Sequence, residues 1–327
     1  MDALIFEGPG RMAMARRPAP VAEPGALLVE VRAAGICGSE LASFTGHSTR
    51  RPAGRTFGHE LSGVVVAAGA PDDAGVVGRR VAINPLVSCG VCPHCQAGRA
   101  NICPRRTLLG MQVDGGFAEQ VVVPRSAVED LGVLDDVAGT LVEPTANAVH
   151  VLTLLPLVTA THVAILGAGP IGLCVLAVLR EAGTAHITVI DPVEERRRLA
   201  LLGGADAALD PSATVAASPD HVVDAAGTTP SRCAAIELCT PGGTVVLLGL
   251  HSTASELPVN AAIANELALR CSFAYTPRDF DLALDLLRRG AIDYAPWITE
   301  RPLSEGPAAF ADLVERPGDV TKIVLRP

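Results

Sequence analysis

Through the first ~145 residues, apolar positions fall in short β-branched runs, ALIFE, ALLVEVRAAGI, LSGVVVAAG, GRRVAINPL and GFAEQVVVP, each bounded by Gly or Pro. The pattern predicts an all-β unit. From residue 161 it changes to strand and helix in alternation: VAILG, an apolar helix, HITVID, the charged helix VEERRRLALLG, HVVDAAG, another helix, and GGTVVLLGL. That order predicts a parallel, doubly wound sheet. Beyond LALRCSFAY come two amphipathic helices, FDLALDLLRRG and PAAFADLVE, and then a lone strand, KIVLRP. A lone strand needs a sheet, and a parallel sheet does not readily take it, so the last ~50 residues are expected to return to the first unit. At 327 residues two domains are expected in any case. The uncharged run VAILGAGPIGLCVLAVL, residues 163–179, approaches the length of a membrane span. Its three glycines and one proline read better as a strand, a glycine turn and a buried helix.

A net charge of −9 argues against a surface that tracks nucleic-acid phosphates. MDALIF has no basic segment leading into a long apolar core, so a cytoplasmic protein with no membrane association is expected. In that reducing setting the nine cysteines read as metal ligands or small buried groups ahead of disulfides. One lysine, Lys322, against many arginines reads as compositional bias. Aromatic residues are only 3% of the chain, which weighs against a pocket for large flat substrates.

Four of the cysteines, Cys89, Cys92, Cys95 and Cys103, lie in CGVCPHCQAGRANICP. Close thiolates of this kind can hold zinc or an iron–sulfur cluster, or pair as disulfides. A bacterial ferredoxin run would place its fourth cysteine after three residues, whereas seven intervene here. Further on, Gly167, Gly169 and Gly172, with Pro170 and Ile171 inside the turn, have the G-x-G-x-x-G form between a strand and an apolar helix. The second strand then ends at Asp191. Such a turn lets backbone approach a pyrophosphate at a helix N-terminus, and the acid accepts from the adenosine ribose hydroxyls. NAD is therefore expected ahead of NADP, because a carboxylate repels a 2′-phosphate. Arg196, Arg197 and Arg198 follow on the helix, either softening that exclusion or forming a solvated face. Cys37 after one strand, with His59 and Glu60 before another, fits a catalytic zinc with an open position, and Glu143 at a helix start is a further candidate ligand.

Together these residues give the chain a resemblance to the zinc-dependent medium-chain dehydrogenase/reductase superfamily, near its alcohol, polyol and threonine dehydrogenase branches. The motifs that carry it are Gly35-Ile36-Cys37-Gly38-Ser39, Gly58-His59-Glu60, the four-cysteine lobe, Asp114-Gly115-Gly116-Phe117-Ala118-Glu119, Glu143-Pro144, the glycine turn and Pro241-Gly242-Gly243. The resemblance implies an α/β protein: a GroES-like β-rich catalytic domain from residues 1–147 and 276–327, with a structural-zinc lobe at 89–103, and a Rossmann domain at 148–275. It implies hydride transfer between a nicotinamide coenzyme and an alcohol or ketone, with a catalytic zinc on Cys37, His59 and Glu60 or Glu143, and a structural zinc on the four-cysteine lobe. Ser39 takes the place of the hydroxyl that removes the alcohol proton, and Glu40 that of an acid orienting His59. A homodimer or homotetramer is implied. His94 reads as a bystander in the lobe, and Cys174, Cys233, Cys239 and Cys271 as buried, inert thiols.

Two departures limit the resemblance. Ala42 stands where many relatives have a histidine that completes the proton relay, leaving water or the nearby His47 to finish it. The loop before Gly58 carries Arg50, Arg51 and Arg55, which read as solvated loop arginines or as a receptor for an anionic substrate. A polyol, sugar, cyclitol or amino alcohol is the expected substrate class. The competing readings are an NADPH-dependent zinc aldehyde reductase and a non-catalytic zinc- and nucleotide-binding protein.

Overall fold

The computed structural model describes residues 1–157, 161–316 and 320–327. The chain divides into two compact units, residues 1–143 with 283–289 and 298–327, and residues 144–282 with 290–297. The boundaries expected from sequence, 147 and 276, fall inside the helices Val142–Leu152 and close to Pro277–Arg288. Each helix runs through its boundary without a break, so no turn residue marks the crossing.

In the first unit, the ten-residue strand Ala26–Gly35 is the organising element. Leu27, Val29 and Val31 point inward while Glu30 and Arg32 face out, the two-residue period of a half-buried strand. It pairs antiparallel with Glu60–Ala68 along most of its length and with Gln120–Pro124 on its other edge. The terminal strand Lys322–Arg326 joins the same sheet, antiparallel to Ala34 and Gly35 and parallel to Ile298–Pro302. The lone strand does return to the first unit. Its partner Ile298–Pro302, and the Arg11–Arg16 strand that pairs with Asp2–Gly8, are strands that the hydrophobic pattern did not announce.

Five of the seven phenylalanines gather in this core. Phe57 stacks 4.8 Å from Phe6, and Phe310 contacts Phe44, Phe57 and Phe117 at 5.5, 6.4 and 6.0 Å between ring centroids. Phe44 closes the helix Gly38–Phe44 and Phe57 precedes Gly58-His59. The scarce aromatic surface is thus spent on anchoring the two segments that carry Cys37 and His59.

The second unit is a six-stranded parallel sheet in the order Ala207–Leu209, His186–Ile190, His162–Leu166, His221–Asp224, Thr244–Leu247, Ala268–Cys271. The order reverses between His162–Leu166 and His221–Asp224, giving a switch point beyond their carboxyl ends, where dinucleotides bind in doubly wound sheets. The central strands are near-continuous apolar runs because helices cover both faces. The 163–179 run resolves into the strand His162–Leu166, the glycine turn and the helix Pro170–Glu181. Among the described residues, no helix is long and apolar enough to cross a membrane.

Candidate metal and coenzyme sites

The four-cysteine lobe closes on itself. Cys92 caps the short helix Pro93–Gln96, which carries Cys95, and Cys89 and Cys103 approach from either side. The Sγ separations are 3.5 Å for Cys92–Cys95, 3.5 Å for Cys103–Cys89, 3.8 Å for Cys92–Cys103 and 3.9 Å for Cys89–Cys95. A tetrahedron with zinc–sulfur bonds of about 2.3 Å has edges of about 3.8 Å, so the four sulfurs fit one zinc ion and leave it no open position. The Val91 N–H, more than any other group, draws the Cys89 thiol below its ordinary value. Arg105 also donates to its sulfur at 3.2 Å.

The second group is built from the sheet outward. Cys37 caps the helix Gly38–Phe44, and Glu40 reaches back to accept from the Cys37 N–H at 3.1 Å. The other oxygen of Glu40 accepts from Gly58 N and from His59 Nδ1, both at 2.8 Å. One fully buried carboxylate therefore ties the Cys37 helix to the His59 segment and engages His59 through Nδ1, so that Nε2 is the ring nitrogen a metal ion could take. Burial opposes ionisation of Glu40, but His59 and Arg51 outweigh it and hold its pKa below the usual value. Burial likewise opposes the imidazolium, yet Glu40 and Cys37 hold the His59 pKa well above its ordinary value. The clamp is reinforced from the Asp114-Gly115-Gly116-Phe117 turn: Asp114 accepts from Thr56 N and from Arg55, and Phe117 N donates to Phe57 O.

Ligand atoms of Cys37, His59 and Glu60 lie within 4.8 Å of one another. A thiol, an imidazole and a carboxylate at that spacing suit a zinc ion with one further position open. Glu143, second residue of the helix Val142–Leu152, is buried but stands outside this group. The hydroxyl of Ser39 lies 3.4 Å from Cys37 Sγ. His47 is exposed, with Nδ1 2.7 Å from Thr45 Oγ1.

Two participants escaped the sequence reading. Lys322 is fully buried, and its ammonium pairs with Glu60 and reaches Ile36 O at 3.3 Å. A side chain on Gly35 would collide with both partners, its Cβ falling 2.5 Å from Glu60 Oε2 and 3.0 Å from Lys322 Cε. The second is Arg51. It is neither solvated nor open to a substrate anion, because it is 3% exposed and bonded within the protein. Arg55 is held by Asp114, and only Arg50 of the three is an exposed loop arginine. The remaining thiols are not all buried as expected: Cys174 and Cys239 are buried, Cys233 is half-buried, and Cys271 is exposed at the end of an edge strand.

In the second unit, Gly167 ends its strand at φ +98°, a conformation that favours glycine. A Cβ on Gly172 would fall 1.9 Å from Gly167 O, whereas one on Gly169 would meet nothing within 4 Å. The turn is closed toward the sheet and open toward the helix N-terminus, the shape a pyrophosphate requires. Pro170 and Ile171 begin the helix Pro170–Glu181, so its first N–H groups face that opening. Asp191 is buried; its two oxygens accept from Ala168 N at 2.7 Å and Val193 N at 2.8 Å. It is thereby fixed to the glycine turn, with a lone pair left on each oxygen. Arg197 bonds the Asp191 carbonyl at 2.7 Å and Arg198 pairs with Glu195, while Arg196 keeps a buried Nε without a hydrogen-bond partner.

The Alcohol dehydrogenase GroES-like domain family matches residues 23–132, and the Zinc-binding dehydrogenase family residues 170–289. The 2-dehydro-3-deoxy-L-galactonate 5-dehydrogenase of Pseudoalteromonas atlantica is 31% identical over 314 residues, covering 92% of each chain. Among solved structures, the alcohol dehydrogenase RspB of Escherichia coli CFT073, complexed with NADH, superposes with a TM-score of 0.93 at 30% identity, covering 100% of this chain and 99% of that one. A zinc-binding dehydrogenase of Sinorhizobium meliloti 1021 bound to NADP gives 0.89 at 34% identity, with the same coverage. The chain belongs to the zinc-dependent medium-chain dehydrogenase/reductase superfamily of NAD(P)-linked oxidoreductases.

Proposed function

We propose that the chain oxidises a secondary alcohol of a polyol, sugar, cyclitol or amino alcohol to the ketone with NAD, and runs the reverse reaction when the reduced coenzyme is supplied. The observation that carries this reading is the convergence of Cys37, His59 and Glu60 within 4.8 Å, with the Ser39 hydroxyl 3.4 Å from the Cys37 sulfur. When bound, zinc supplies a Lewis acid for the substrate oxygen and NAD an acceptor for the hydride. Cys37, His59 and Glu60 hold that metal, and Glu40 fixes the tautomer and plane of His59. Ser39 accepts the alcohol proton and passes its own to water, since His47 is exposed and turned to Thr45. Cys89, Cys92, Cys95 and Cys103 hold the second zinc, which stabilises their lobe. Asp191 takes the ribose hydroxyls. The substrate class follows the sugar-acid relative, and in this reading the active form is a homodimer or homotetramer, which light scattering tests.

A second reading, an NADPH-dependent aldehyde reductase, draws on the partnerless Nε of Arg196, five residues after Asp191 in the first turn of the helix Glu194–Leu202. Both are tested by following reduced coenzyme with a panel of polyols, sugar acids, amino alcohols and aldehydes, each with NAD and NADP. Faster turnover of polyhydroxylated alcohols with NAD is expected; preference for NADP and aldehydes reverses the assignment. Within the same assay His47→Ala should change turnover by less than about tenfold, below the range of a true acid–base group. A larger loss transfers the end of the relay to His47.

A further inference from the structure

We infer that Arg51 is the positioning residue for the Ser39 hydroxyl, fixing which of its lone pairs and which direction of its O–H remain for proton transfer. This rests on the proposed role of Ser39. The guanidinium is 3% exposed, and two of its three nitrogens donate to Ser39. Nη2 donates to Ser39 Oγ at 3.1 Å, and Nη1 to the Ser39 carbonyl at 2.9 Å, with Ser43 Oγ a further 3.5 Å contact. On its other edge Nε donates to Gly110 O at 2.9 Å, and the plane lies over the Phe57 ring, 5.3 Å from its centroid. Gly110 and Phe57 belong to the aromatic-anchored scaffold, so the fork is held from behind and grips one residue in front.

The chemistry follows from what arginine lacks. It carries donors and no acceptor, so Ser39 Oγ must accept from it and cannot return its hydrogen to it. One lone pair is occupied, and the O–H is turned to Cys37 Sγ, 3.4 Å away. A serine so held has one acceptor site for the alcohol proton and one hydrogen to release. In the step itself the substrate O–H bond breaks as Ser39 Oγ takes that proton. The original Ser39 O–H breaks as its proton passes to water. Ser39 ends as it began, and one proton has reached solvent. Without the fork a serine hydroxyl turns among three staggered positions, and only some of them serve.

The test is a double-mutant cycle of Ser39→Ala with Arg51→Ala and Arg51→Lys, read on protein with its zinc content and melting temperature measured. Ser39→Ala should lower kcat by ~10²- to 10⁴-fold. Arg51→Lys keeps a charge for the buried carbonyls but not the fork, and should lower kcat by about ten- to a hundredfold, the worth of a hydrogen bond from a charged donor. KM should hold and the solvent deuterium isotope effect on kcat should rise. In the Ser39→Ala background either Arg51 change should cost almost nothing further, because its target is gone. Guanidinium ion in the buffer should restore part of the Arg51→Ala loss. Should Arg51→Ala fail to fold, the Arg51→Lys arm is read by the same cycle. Equal losses in both backgrounds, or a folded, zinc-replete Arg51 variant with parental kcat, overturn the inference while leaving Ser39 its role. An undiminished kcat in Ser39→Ala removes the relay itself and this inference with it.

Discussion

Lys322 is the only lysine in the chain, and it is spent in the interior against Glu60. Its ammonium pairs with the buried Glu60 carboxylate, so in zinc-free protein removing it leaves that carboxylate without its counter-charge. Lys322→Met is expected to lower stability by about 3–5 kcal/mol in urea melts, and Lys322→Arg to recover most of that. A melt that does not move would show that Glu60 is neutralised by something else. The residue also marks the limit of reading sequence at this scale. Cys37, His59 and Glu60 announced themselves because ligand types beside glycines are a local signal, and Ser39 came with them. Lys322 and Arg51 gave none: one looked like compositional bias and the other like a loop charge. Their roles are set by partners 262 and 12 residues away. The single hint was an ammonium inside the apolar run KIVL, where an unpaired charge has no place.

Among elements, the glycine turn between strand and helix was legible because glycine spacing, strand and helix all sit in one contiguous stretch. What sequence withheld is that Asp191 braces the turn, accepting from Ala168 N and Val193 N. Asp191→Gly should therefore do two things: shift the ratio of kcat/KM for NAD over NADP toward NADP, and lower the melting temperature, since a buried and a half-buried N–H lose their acceptor. An unchanged coenzyme ratio would strip Asp191 of its ribose role and leave only the brace. The helix Pro277–Arg288 is held at its start in a similar way. Asp279 accepts from His150 Nδ1, Thr276 N and Thr276 Oγ1, each at 2.8 Å. Burial would raise the Asp279 pKa, but the bonds from His150 and Thr276 outweigh it and the folded value lies below that of the unfolded chain. A carboxylate depressed in the fold stabilises fully above its unfolded pKa of about 3.9, and that stability is lost as pH falls through the lower folded value. Asp279→Asn should thus flatten the acid limb of the stability–pH curve while lowering the plateau at neutral pH. Parallel acid limbs for parent and variant would count against it.

For the whole molecule, the pattern of apolar runs carried the division into two units and the return of the last strand, because a strand without a neighbour must find one. It did not carry the boundaries, two of which lie within the unbroken helices Val142–Leu152 and Pro277–Arg288, nor the sheet order, which depends on pairings between distant segments. It also left the metal count open, since four close cysteines alone admit several occupants. The geometry separates the possibilities: one group is a closed set of four sulfurs at tetrahedral spacing and the other a mixed set of three ligands. A closed site can only stabilise, whereas a site with an open position can bind substrate. The two groups should then fail differently. Elemental analysis of the loaded protein is expected to give two zinc ions per chain, matching the two ligand groups among the described residues. Cys37→Ser should lose one zinc and nearly all turnover while melting close to the parent, because the aromatic cluster and the Glu40 clamp hold its surroundings. Cys103→Ser should lose the other zinc and lower the melting temperature first, since Cys103 is fully buried and its lobe has little apolar core of its own. Activity should fall only as that lobe unfolds. Iron with labile sulfide, or a single zinc in fully loaded protein, would defeat this assignment; so would a Cys37→Ser protein that melts far below a Cys103→Ser protein.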